Sequence, residues 1–165
     1  MSRVICNAGP IIGLIGLGKL HLLWELFGEI VISEAVHQEI CTPSHRSDAD
    51  IINNAIGNGH IKVIKVGSQG MIESMIGKLH RGELETILGA KTDSDIRYAV
   101  IDEKAARAFA ATMLVDTIGI LGVLRQAKTK GLIETVKPQM DKLVQNGYRI
   151  SNVLYEQVLR AEKEI

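Results

Sequence analysis

Four residues of this chain, Asn7, Glu39, Glu83 and Asp102, have the types and spacing of a set of oxygen ligands. Asn7 ends the apolar run Val4-Ile5-Cys6, and Asp102 ends Tyr98-Ala99-Val100-Ile101. Short apolar runs that stop at a polar residue and pass into helix-like sequence read as buried parallel strands. Ligands of open α/β sheets gather at the carboxyl ends of such strands. Asn7 and Asp102 are therefore expected on one rim of one sheet, with Glu39 and Glu83 brought to the same rim by helices. Like carboxylates held close together resist ionisation unless a divalent cation neutralises them. Oxygen ligands of this kind suit Mg²⁺ or Mn²⁺. Such ions can activate a nucleophile and stabilise charge on a phosphodiester.

Each candidate also has a structural reading. Asn7 can be a neutral ligand or the N-cap of a helix that begins around Pro10. Glu39 borders the stripe defined by Val36 and Ile40, and so faces either a cleft or open solvent. Glu83 and Glu85 flank the Leu84, Ile87, Leu88 stripe from opposite sides, so only one can face a site. Glu85, three residues after Gly82, suits the positive end of a helix, and Glu83 is preferred as the ligand. Asp102 is not needed for packing, because Glu103 can serve as the helix-start acid. Glu85, Glu103 and Asp116 stand in reserve as ligands.

The elements that must position these groups alternate between β and α. Strands are predicted at Val4–Cys6, Glu29–Ile32, His60–Val66, Tyr98–Ile101 and within Met113–Ile118. The alternation of His60–Val66 (H-I-K-V-I-K-V) marks an edge strand with one wet face. Helical patterns cover the stretch after Pro10, Leu20–Phe27, Glu34–Ile40 behind a Ser33 cap, Asp48–Ile56, Met71–Leu79, Gly82–Ala90 and Glu103–Thr112. They continue over Gly119–Lys130, Pro138–Gln145 and Ser151–Lys163. This order predicts a three-layer α/β/α domain with a central, mainly parallel sheet. A single domain, 1–165, is expected, with a helical C-terminal extension from about 132 to 165.

At 165 residues, 46% of them hydrophobic and 4% aromatic, the chain can build a core of Ile, Leu, Val and Ala. Zero formal net charge excludes a strongly basic nucleic-acid protein. A local basic flank nevertheless holds Arg125, Lys128 and Lys130, which could meet phosphates or be a solvated helix face. Cys6 and Cys41 lack metal-ligand spacing and read as core thiols. The apolar stretch Ala8–Leu17 is too short to span a bilayer, so a cytoplasmic chain with no membrane partner is expected. Gly13-x-x-Gly16-x-Gly18 reverses the dinucleotide-binding order and lies inside a helix, which argues against that use. Apolar residues at the C-terminal end, with Leu20, Leu23, Trp24 and Phe27, predict a homodimer.

In order and spacing, four segments together resemble the PIN-domain family. The similarity is to its branch of predicted nucleic-acid-binding proteins related to toxin ribonucleases of toxin–antitoxin pairs. The segments are VICNAGPIIGLIGLGKLHLLWELFGEIVISEAVHQEI, LHRGELETILGA, YAVIDEKAARAFA and IGILGVLRQAKTKGLI. The resemblance implies a Mg²⁺- or Mn²⁺-dependent endoribonuclease acting on RNA, with a separate antitoxin chain as a further partner. It sets the family's acids on Asn7, Glu39, Glu83 and Asp102. Asn7 stands where the family usually has Asp and removes one charge. Gly9 stands where a Ser is common, and Glu103 keeps the charge of a second Asp. The rival reading is a PIN-like module that has lost catalysis and binds RNA or a partner protein.

Overall fold

The computed structural model describes residues 2–43, 46–67, 69–75, 77 and 79–165. Its five strands are β1 (Arg3–Cys6), β2 (Glu29–Ser33), β3 (Ile61–Ile64), β4 (Ile96–Val100) and β5 (Thr117–Ile118). They form one sheet in the order β3-β2-β1-β4-β5, and every pairing is parallel. Helices α1 (Ala8–Gly16) and α2 (Leu22–Phe27) link β1 to β2. Helices α3 (Glu34–Ile40) and α4 (Arg46–Gly57) link β2 to β3. Between β3 and β4 come α5 (Gln69–Met75) and α6 (Arg81–Thr92), then α7 (Lys104–Thr112) before β5, and finally α8 (Ile120–Thr129), α9 (Lys137–Gln145) and α10 (Asn152–Ala161). Part of the helix predicted over Met71–Leu79 lies outside the described residues.

The strands are apolar on both faces because both faces are covered. Val4, Cys6, Ile30, Ile32 and Val100 pack into one core with Ile11, Leu14, Leu124 and Leu143. The alternate residues Ile5, Val31, Ala99 and Ile101 pack into a second core with Leu84, Ile87, Ala106 and Ala110. The period-2 pleat thus divides each short strand between two helical layers. The result is the predicted three-layer α/β/α fold. Val158 and Leu159 of α10 join the first core, so the C-terminal helices pack on the domain.

Two strands are shorter than the sequence pattern suggests. The edge strand keeps only Ile61–Ile64 of the predicted His60–Val66. At the other edge, only Thr117–Ile118 of Met113–Ile118 pairs. The missing residues close α7 instead: Val115 N–H donates to Ala110 O at 2.9 Å and Leu114 N–H to Ala111 O at 3.1 Å. That is a Schellman ending, with Leu114 at φ 58° in the position glycine usually fills. Leu20 and Leu23 are buried within the chain, and Trp24 and Phe27 pack against its core. None of the four is the open apolar surface on which the dimer expectation partly rested.

Gly89 lets α6 sit close on β1. A β-carbon there would stand 2.6 Å from Ile5 Cδ1, far inside contact distance. The close approach fixes α6, and with it Glu83, relative to the end of β1.

Candidate active site on the carboxyl rim of the sheet

Cys6 and Val100 are register partners at the ends of β1 and β4. The ladder runs one step further, since Asn7 N–H donates to Val100 O at 2.9 Å. Asn7 and Asp102 therefore leave neighbouring parallel strands at the same rim. Asn7 occupies the N-cap position of α1, yet its side chain makes no capping bond. An N-cap oxygen accepts from the second or third helical N–H; Pro10, the third helical residue, has none, and the side chain does not take the one at Gly9 either. Asn7 Oδ1 is left buried with no hydrogen-bond partner.

Two helices bring acids toward that oxygen. At Gly82, in the first turn of α6, the position a β-carbon would take is 3.7 Å from Asn7 Oδ1 and 3.6 Å from Glu39 Oε2. Glycine thus leaves open the space between them. Glu39 itself is exposed, so of its two readings the structure gives a solvent-facing carboxylate at the cleft mouth. Glu83 is buried, and its Oε1 accepts from His80 N–H at 2.9 Å. Burial pushes the Glu83 carboxyl above its ordinary value. The charges of Glu103 and Glu39 add to this, while the His80 N–H opposes it.

Asp102 divides its carboxylate between two jobs. Oδ1 accepts from Ile120 N–H at 2.7 Å and so caps α8. Oδ2 is buried with no hydrogen-bond partner. Burial pushes this carboxyl up, against the Tyr148 hydroxyl, the Ile120 N–H and the Arg107 guanidinium, which pull it down. At Gly119 a β-carbon would lie 2.9 Å from both Asp102 Oδ1 and Arg107 Nη1. Only a glycine leaves room there for the guanidinium beside the acid. Glu103 caps α7 through a 2.8 Å bond from Ala106 N–H, as the sequence suggested for a helix-start acid.

The other predicted residues are placed elsewhere. Glu85 is buried, with Oε2 bonded to Arg81 Nε at 2.8 Å and Oε1 to Ala35 N–H at 3.2 Å. It ties α6 to α3, and the helix-start role assigned to it belongs to Glu83, because α6 begins at Arg81. Asp116 is exposed and precedes β5, with its carbonyl bonded to Ala99 N–H. It therefore sits below the rim that carries Asp102. Arg125 and Lys128 face acids of the chain's own C-terminal segment. Arg125 Nε is 3.5 Å from Glu162 Oε2, and Lys128 Nζ is 2.8 Å from Glu164 Oε2. Lys130 stands at the C-cap of α8, the opposite end from Asp102. Arg107 and Tyr148 were not read from the sequence. Arg107 lies one helical turn past Glu103, a spacing that could have drawn attention to it. Tyr148 has no local signal, since it reaches Asp102 only through the packing of the C-terminal helices.

Among the described residues, no group of three or more His, Cys, Asp or Glu side chains is placed to hold a metal ion. What the rim offers is two buried, unpartnered oxygens on adjacent strand ends, with Glu83, Glu39 and Glu103 in one another's field. This donor chemistry fits a hard cation held by few protein ligands and completed by water.

A family model described as PIN domain matches residues 3–164. The chain belongs to the PIN-domain family. No curated protein and no solved structure matches it. A PIN domain is a nuclease-type fold, generally dependent on divalent metal. The match runs through the C-terminal helices as well as the sheet. Among the described residues, no helix is long and apolar enough to cross a membrane.

Proposed function

We propose that this PIN domain is a metal-dependent endoribonuclease whose activity is weakened by Asn7. The observation that carries the reading is the pair of buried, unpartnered oxygens, Asn7 Oδ1 and Asp102 Oδ2, at the ends of neighbouring strands. An orphaned buried acceptor is costly unless something satisfies it; the Tyr148 hydroxyl and the Arg107 guanidinium reduce that cost at Asp102, and a bound cation is a partner that both oxygens suit. Asn7, Glu83 and Asp102 would hold the ion, with Glu39 reaching in from the cleft mouth and Glu103 adding negative charge. Bound Mg²⁺ or Mn²⁺ supplies Lewis-acid stabilisation of a cleaved phosphodiester and an activated water.

The chain's own residues do the rest. Glu83 is held rigid by the His80 N–H, and its raised carboxyl favours cation binding as relief of the charge crowding with Glu39 and Glu103. Asp102 is oriented by the Ile120 N–H, so that one oxygen stays directed away from α8. Arg107 supplies a cation at the rim, suited to a phosphate oxygen. The family resemblance extends the proposal to the toxin of a toxin–antitoxin pair, inhibited by a separate antitoxin chain.

The test is RNA cleavage with added Mg²⁺ or Mn²⁺. Asn7→Asp should raise cleavage roughly tenfold or more at fixed metal, because it restores a full charge to the site. Asp102→Asn should abolish it, and Mn²⁺ should outperform Mg²⁺. Cleavage that persists in chelator, or that ignores both substitutions, overturns the reading. The neutral amide of Asn7 and the absence of a three-acid cage among the described residues favour one second reading. In it, the domain binds RNA or a partner protein without cutting, and Asn7→Asp stays inactive.

A further inference from the structure

A cavity of about 650 Å³ lies beside the rim site. It opens at the carboxyl ends of β2 and β3, between Glu34 and Gln38 on α3, Lys65 and Val66 after β3, and Arg81 on α6. A smaller cavity of about 300 Å³ shares Ala35, Gln38 and Arg81 with it and is lined also by Glu39, His80 and Gly82, the last beside Asn7 Oδ1. Arg81 lines both, so it stands at the junction between the candidate cleavage site and the larger cavity.

We infer that this cavity seats the nucleotide flanking the cleaved bond of a single-stranded RNA, an inference that rests on the rim being the cleavage site. Its volume lies in the range of small-ligand pockets. Its cations are arranged for phosphates. Arg81 is fixed by the buried Glu85 through its Nε, which leaves its two terminal nitrogens to fork onto a phosphate. Lys65 is exposed and has no ion-pair partner among the described residues.

The remaining lining points to the base. Glu34 and Gln38 stand one helical turn apart on α3, and an ionised carboxylate only accepts hydrogen bonds. Adenine, cytosine and guanine each carry an exocyclic amino donor, and uracil has none. Single-stranded bases are read on such edges once unstacked. The seat should therefore prefer an amino-bearing base over uracil, with Glu34 as the discriminating residue.

The experiment is fluorescence anisotropy of labelled single-stranded octamers of A, C or U with the full chain in chelator, where metal-dependent cleavage is off. Wild type should bind the A and C oligomers several-fold more tightly than U. Lys65→Glu should weaken all three about tenfold and reduce the salt slope by about one. Glu34→Ala should close the gap between C and U. Equal binding of all three oligomers by wild type overturns the base preference. Lys65→Glu and Glu34→Ala proteins that both bind like wild type overturn the seat, whatever cleavage shows. A wild-type chain that binds none of the oligomers at 100 µM overturns it too. Lys65-dependent binding with no cleavage in Mn²⁺ defeats the nuclease reading and leaves the seat standing.

Discussion

Glu83 shows what a single buried acid contributes. Its carboxyl is held above the ordinary value of 4.5, chiefly by burial, so the folded chain keeps this proton to higher pH than the unfolded chain does. The stability linked to it is fully present below the unfolded value and is lost as pH rises through the folded one. Denaturant unfolding of wild type and Glu83→Gln from pH 4 to 7 should show wild type losing ground as pH rises; parallel curves would contradict this. Added Mn²⁺ should raise the melting temperature of wild type more than that of Glu83→Gln, since only the acid gains by pairing with the ion. The sequence did disclose Glu83 and Asp102 as acids beside a buried stripe and at a strand end. It did not disclose that Asn7 would leave α1 uncapped, although Pro10 three residues on removes one of the two N–H groups a cap can use. Glu85 was misread because the helix-start role was counted from Gly82, two residues past the His80 N-cap, which moved it from Glu83 onto the wrong glutamate.

Among the elements, the ends of helices decide more than their middles. Leu114 sits in left-handed backbone, almost fully exposed, to finish α7. A glycine there removes the β-carbon strain at little loss of packing. Leu114→Gly should stabilise the domain by about 0.5–1 kcal/mol, read as a rise of a few degrees in Tm. At the start of α9, Glu164 accepts from the Val136 and Lys137 N–H groups and from Lys128 Nζ. Burial opposes its ionisation, but those three donors hold its carboxyl below the ordinary range. Its contribution is therefore present above the unfolded pKa and lost as pH falls through the folded one. Glu164→Gln should cost about 1–2 kcal/mol at pH 7, and the difference should fade in acid. Strand periodicity revealed both faces of the sheet because each residue there obeys its neighbours. The pairing of Arg125 and Lys128 with Glu162 and Glu164 joins residues more than thirty positions apart, and local charge pattern carries no trace of it.

For the whole molecule, the fold class was legible because short two-sided strands and intervening helices admit few arrangements. The apolar surface was less so, because Trp24 and Phe27, expected at the surface, pack against the core. Of the apolar residues that stay open, Val144, Val153 and Leu154 lie on the C-terminal helices. We propose that this surface joins two copies. Light scattering at tens of micromolar should give a dimer mass that Val153→Asp returns to the monomer, and a monomeric wild type would count against it.

The central place of β1 has a consequence for the chain as it is made. This strand is made before the other four, pairs on one side with β2, and waits on the other for β4, which ends at Val100. Until then its second edge is an open row of backbone donors and acceptors. Asn7 meanwhile has no Asp102 beside it. The two halves of the rim thus meet only once the chain through Asp102 has been made, and a nascent chain that stops short of it carries no assembled site.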